Sequence, residues 1–126
     1  MKKITIILIA VLCTMTTSAQ TTTTSNNDNV GVYRLFPTEN MWTFLQLNTR
    51  TGQIWQIQFD VQGDNRGSVI LNHTPLVSSS NEINGRFTLY PTQNRWTFIL
   101  LDTVDGRTWQ VQWSQEANRR FIIRID

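Results

Sequence analysis

The chain is expected to be all-β, built from two homologous four-stranded antiparallel meanders. Three observations lead there. Residues 31–58 reappear as residues 85–112, with 14 of the 28 aligned positions identical, a level that marks one supersecondary unit used twice. Within each copy, apolar and polar residues alternate in a two-residue rhythm between turn formers. Neither copy sustains the 3.6-residue period of an amphipathic helix. One small sheet cannot bury its apolar face alone, so the second copy is expected to supply the missing half.

The first strand of each copy covers residues 32–36 and 86–90 and is expected to stop at Pro37 or Pro91, which cannot donate to a ladder. Asn40 and Asn94 then occupy the connecting turn. The second strand, residues 42–47 and 96–101, is apolar on both faces and therefore central. Gly52 and Gly106 close the hairpin that follows, because glycine accepts the positive φ such a turn requires. In the third strand Trp55, Ile57 and Phe59 are read as inward, with Gln56 and Gln58 outward. The second copy sets Trp109, Val111 and Trp113 inward against Gln110 and Gln112.

Polar turns at residues 62–66 and 115–119 lead to the fourth strands, residues 67–71 and 120–125. The copies themselves span residues 31–72 and 85–126, within a single β domain of residues 31–126. A linker of residues 73–84 joins them and is expected to cross from one sheet to the other. Two such sheets can stack as a pseudo-twofold β-sandwich or curl into a small barrel. The alternative is a pair of propeller-like blades, since about 40 residues is also the length of one blade. Two blades cannot close a ring, so that arrangement demands oligomerisation.

The N-terminus combines Lys2 and Lys3, an apolar run from Ile4 to Leu12, and small residues before Gln20. This is the layout of a secretory signal peptide over residues 1–19, too short in its apolar part for a stable membrane anchor. Export to the periplasm or the extracellular space is expected. Cys13 follows Leu12 instead of the small residue that lipid attachment requires, and it leaves with the leader. Residues 20–30, polar and aperiodic, read as a flexible tether.

Lys2 and Lys3 are the only lysines, so the processed chain carries nine arginines against nine carboxylates. A chain near neutrality with dispersed arginines has no field to attract phosphate backbones, and nucleic acid is not an expected partner. All five tryptophans lie within the repeats.

The segment from Leu101 through Asp102, Thr103 and Gly106 to Trp109, echoed by Leu47 to Trp55, is similar to the "LDxxTGxxxW" segment of quinoprotein-type propeller blades. A second likeness covers nearly the whole processed chain. Phe87 to Asn94, Trp96-Thr97-Phe98, Leu101-Asp102-Thr103 and Trp109 to Trp113 resemble the pattern of small exported hypothetical proteins of the Bacteroides group. That resemblance implies export and the repeat boundaries, and implies no catalytic residue.

Catalysis needs titratable or nucleophilic groups brought together, and the processed chain offers one histidine, no cysteine and no lysine. His73 lies in the linker without a second histidine to complete a zinc site. Asp102 and Asp105 flank a turn in the manner of a glycosidase pair or calcium ligands, but their counterparts in the first copy are Asn48 and Thr51, and aspartate is an ordinary turn former. No enzyme activity, cofactor or metal is expected.

Binding fits better. With Leu45 and Leu47 facing the core, Trp42 and Phe44 are expected to share a face with Gln56 and Gln58, and Trp96 and Phe98 with Gln110 and Gln112. Flat rings beside amides suit a glycan or a protein ligand. Association of the chain with itself, through sheet edges or these same faces, is the other expectation.

Overall fold

A computed structural model describes residues 30–126. The signal-peptide expectation for residues 1–19, and the tether up to residue 29, lie outside the described residues. Val30 is half-buried, and its carbonyl accepts a hydrogen bond from Asn84 Nδ2 at 3.1 Å.

Eight strands form two antiparallel meanders. Sheet 1 runs β1 (Tyr33–Pro37), β2 (Thr43–Asn48), β3 (Ile54–Gln58) and β4 (Gly67–Asn72). Sheet 2 runs β5 (Phe87–Pro91), β6 (Thr97–Asp102), β7 (Thr108–Gln112) and β8 (Phe121–Ile125) in the same order. Each copy of the repeat is thus one sheet, and the sheets stack over one core without closing into a barrel. The strands begin and end one residue later than the sequence pattern placed β1, β2, β5 and β6. Pro37 and Pro91 end edge strands as their last residues, where a missing amide costs no ladder bond.

The repeated Pro-Thr-x-Asn-x-Trp motif has a local structural cause. Thr38 Oγ1 donates to the Thr43 carbonyl at 2.8 Å, while Asn40 Oδ1 accepts the Trp42 amide at 2.9 Å. Thr92 and Asn94 do the same for Thr97 and Trp96 at 2.8 and 3.0 Å. The threonine hydroxyls reinforce the backbone bonds from the Thr38 and Thr92 amides to the same carbonyls, both 3.3 Å, and the asparagines hold the tryptophan amides, so the motif fixes where each tryptophan leaves the sheet. Gly52 and Gly106 both sit at φ 80°, the conformation the hairpins need.

Directly opposed residues in an antiparallel pair share a face, so register decides orientation. In sheet 1 Leu45 opposes Gln56 and Leu47 opposes Ile54, and all four are buried. Phe44 opposes Ile57 and Gln46 opposes Trp55, on the outer face. The inward assignment of Trp55, Ile57 and Phe59 is therefore corrected: in sheet 1 it is Ile54 and Gln56 that point into the core. In sheet 2 the assignment stands, because Phe98 opposes Val111 and Leu100 opposes Trp109, all buried.

The consequence concerns symmetry. At a shift of 54 positions the buried set of sheet 2 (Phe87, Leu89, Phe98, Leu100, Trp109, Val111) corresponds to the outer set of sheet 1 (Tyr33, Leu35, Phe44, Gln46, Trp55, Ile57). A pseudo-twofold axis would bury equivalent faces. Here the two meanders form a two-sheet sandwich whose sheets stack front to back, one homologous face against the other's reverse.

A β-bulge between Ile54 and Trp55 displaces Leu71 out of register in sheet 1, and Leu71 packs on the core. The linker, with a 3-10 turn at Ser79–Asn81, is pinned by the Leu76 amide donating to the Thr51 carbonyl at 2.8 Å.

Candidate functional site

The eight residues singled out as ligand-binding do not form one surface per repeat. Phe44 and Gln56 lie on opposite faces of sheet 1, as do Phe98 and Gln110 in sheet 2. Gln56 is only 3% exposed, and its Oε1 accepts the Ser114 amide at 3.3 Å across the sheet interface. Phe98 is a core residue, Phe44 is half-buried, and Gln110 lies half-buried on the outer face of sheet 2. The expectation failed because it set rings and amides by alternation alone, and a one-residue register offset between strands exchanges their faces.

The remaining four residues do come together, two in each repeat. Trp42 and Gln58 line a cleft of about 190 Å³ with Phe59, Asp60 and Asn65. Trp96 and Gln112 line one of about 300 Å³ with Trp113, Ser114, Gln115, Glu116 and Arg119. Trp42, Gln58, Phe59 and Asp60 correspond one for one to Trp96, Gln112, Trp113 and Ser114 at the 54-residue shift. The fold therefore holds two versions of one cleft, at the same end of each sheet.

Each version is built alike. The Asn turn delivers the tryptophan, whose carbonyl accepts the amide of the next ring: Phe59 to Trp42 and Trp113 to Trp96, both at 3.0 Å. The rings stack in tilted pairs at 5.2 Å for Trp42 and Phe59 and 4.5 Å for Trp96 and Trp113. In the second cleft Gln112 Nε2 donates to the Arg119 carbonyl, and Trp113 Nε1 donates to the Arg95 carbonyl.

The electrostatics differ. The first cleft carries Asp60, whose carboxyl is held below the usual range by hydrogen bonds from the Gln62 and Gly63 amides, with Asn65 adding to them. The second carries the Glu116–Arg119 ion pair at 3.1 Å. Asp60, Asn65, Ser114 and Glu116 were not singled out from the sequence. They come from the turns after β3 and β7, where the copies diverge, so the repeat gave no signal for them.

A third cleft, about 190 Å³, opens at the seam between the sheets and is lined by Gln56, Gln58, Arg66, Gln115 and Arg120 among others. Arg120 is committed there to the Ser114 and Gln115 carbonyls, at 2.7 and 3.0 Å.

The acidic turn has a structural occupation. Asp102 is fully buried, and its oxygens receive Arg86 Nε and Nη2 at 3.0 and 2.9 Å and Arg107 Nη2 at 2.9 Å. Burial pushes this carboxyl up, but the Arg86 guanidinium, the Val104 amide and Arg107 outweigh it and hold the group well below its ordinary value. Asp105 completes the cluster on Arg107 Nε at 2.6 Å. A carboxylate so enclosed by guanidinium groups has no lone pair aimed at a cation or a sugar. Among the described residues no three His, Cys, Asp or Glu side chains gather as a metal-binding group. His73 is exposed, and Asn72, the head of the Asn72-His73-Thr74 sequon, is buried with Nδ2 on the Gly52 carbonyl at 2.9 Å.

Comparison of the chain with protein-family models, with curated proteins and with solved structures finds no match in any of the three.

Proposed function

We propose that this chain is an exported, non-enzymatic interaction protein that binds a glycan or a surface protein through two related clefts, one per repeat. The observation that carries the reading is the duplicated arrangement itself: Trp42, Phe59 and Gln58 recur as Trp96, Trp113 and Gln112 around an open cleft. An indole face offers apolar contact to the C–H face of a sugar, and a primary amide both donates and accepts toward hydroxyls. The copies' different charges, Asp60 against the Glu116–Arg119 pair, would give the two clefts related but unequal preferences. Export rests on the leader motif and on the resemblance to small exported proteins of the Bacteroides group.

Titration of tryptophan fluorescence with a panel of neutral oligosaccharides tests the reading. Gln58→Ala and Gln112→Ala should each weaken binding at one cleft, roughly tenfold for a lost hydrogen-bonding pair, and the double variant should weaken both clefts to the same degree. Binding that survives Trp42→Ala and Trp96→Ala together would remove the clefts from the mechanism.

A second reading, a structural subunit of a homo-oligomeric assembly, is favoured by one further observation. The outer face of sheet 1 leaves Tyr33, Leu35 and Ile70 more than half exposed beside half-buried Trp55 and Ile57.

A further inference from the structure

The internal junction between the sheets joins two unlike faces. The face of sheet 1 that bears Leu45, Leu47, Ile54 and Gln56 covers the face of sheet 2 that bears Phe87, Leu89, Leu100 and Trp109. Because the sheets are homologous, each also owns the other kind of face. On sheet 1 the second kind is Tyr33, Leu35, Phe44, Gln46, Trp55 and Ile57, and it points to solvent. On sheet 2 the first kind is Ile99, Leu101, Thr108 and Gln110, flanked by exposed Tyr90, Ile123 and Ile125. Neither set includes a charged side chain, as the core of an interface requires. An interface of unlike halves, used once within a chain, leaves one unused half at each end.

We propose that a second copy of this chain docks the free face of its sheet 2 onto the free face of sheet 1, so that chains assemble head to tail and repeat the internal junction between molecules. This deepens the structural-subunit reading, and it names the occupant from the molecule's own junction. A heterologous contact of this kind closes into a ring if its rotation allows, and otherwise grows as a filament.

The backbone supports the same repetition. Inside the chain Thr49 is fully buried: its amide donates to Val32, its carbonyl accepts the Phe87 amide at 2.9 Å, and its hydroxyl accepts the Gly85 amide at 3.0 Å. Thr103 is its counterpart, with its amide on Arg86 at 2.8 Å, yet it is exposed. The counterparts of Gly85 and Phe87 are Gly31 and Tyr33. The alternation of an antiparallel pair turns the Tyr33 amide away from β2, just as it turns the Phe87 amide away from β6. In the assembly Thr103 receives the Gly31 and Tyr33 amides of a second copy.

Light scattering of the purified protein during size exclusion tests the proposal, with Leu35→Asp and Ile123→Asp as the variants. These side chains are 59% and 57% exposed on opposite outer faces, so each substitution should leave the fold, checked by near-ultraviolet circular dichroism, and disable one end. Should either variant misfold, Tyr33→Arg and Ile125→Arg probe the same two faces. The wild-type protein should exceed the mass of one chain. Each variant alone should run as a monomer, and an equal mixture of the two should form a dimer and nothing larger, through the one intact pair of faces.

A wild-type monomer at its highest soluble concentration overturns the proposal. So does assembly of Ile123→Asp at wild-type size, which would mean that the sheet 1 face pairs with itself or with something else, and so does a mixture that stays monomeric. Neither position belongs to the Trp–Gln clefts, so oligosaccharide binding by the same variants succeeds or fails separately.

Discussion

Tyr33 and Phe87 occupy the same place in the two sheets, 6.2 and 6.1 Å from the tryptophan across the ladder, yet Tyr33 is 54% exposed and Phe87 is fully buried. The same contrast separates Phe59 from Trp113 and Leu35 from Leu89. The members of each pair hold equivalent strand positions on homologous faces, although the turns after β3 and β7 diverge and the bulge belongs to sheet 1 alone. What differs is whether a sheet lies on that face. An aromatic ladder is thus a property of the repeat, whereas a core is a property of the stack.

The largest expected effect compares the two ring positions at the end of the third strands. Trp113→Ala should cost about 4 kcal/mol, because a buried indole and its hydrogen bond to Arg95 are lost with little room to relax. Phe59→Ala should cost about 1 kcal/mol, since that ring is already 37% exposed. Urea unfolding at a concentration where light scattering gives the mass of one chain measures both; equal costs would break the contrast.

Next is the hairpin end of each sheet, where Asp102 with its two arginines stands against neutral Asn48, whose Oδ1 accepts the Arg50 amide at 3.0 Å. Asp102→Ala should cost about 3 kcal/mol by leaving buried Arg86 with only the half-exposed Asp105 carboxylate, 3.5 Å away, and Asn48→Ala about 1 kcal/mol. The Asp102 carboxyl lies well below its ordinary 3.8, so its contribution is present above that value and is lost as pH falls below it toward the depressed native value. Unfolding free energy should therefore drop through the strongly acid range in the wild type. Asp102→Asn should flatten that limb, and Asn48→Ala should leave it unchanged.

The smallest effect concerns the two hairpin glycines. A Cβ on either faces the left-handed φ of 80°, worth about 1 kcal/mol, but only at Gly52 would it also meet Leu76 Cδ1, at 2.7 Å. Gly52→Ala should lower the urea midpoint more than Gly106→Ala, because the linker packs over the first hairpin and open space surrounds the second.

Much of this is legible in the sequence. The eight strands, their order and the hairpin glycines follow from alternation, proline positions and turn chemistry, all of which act within a few residues. The tryptophans of the clefts could be named as well, since the Asn turn that positions them is local. Gln56 and Phe98 were misplaced for two reasons: the register that pairs Gln56 with Leu45 cannot be read from alternation within one strand, and residues 96–101 are apolar on both faces, so alternation could not say which of them was the core.

The amino-acid sequence by itself determined that the chain contains one meander twice and where each turn bends, because propensity, glycine φ and side-chain capping need no distant partner. Only the tertiary structure decided that the copies stack front to back, that Gln56 enters the seam while Trp55 stays outside, and that Asp102 serves two arginines. Burial depends on what covers a face, and that information resides in no single strand but in the packing of one sheet upon another.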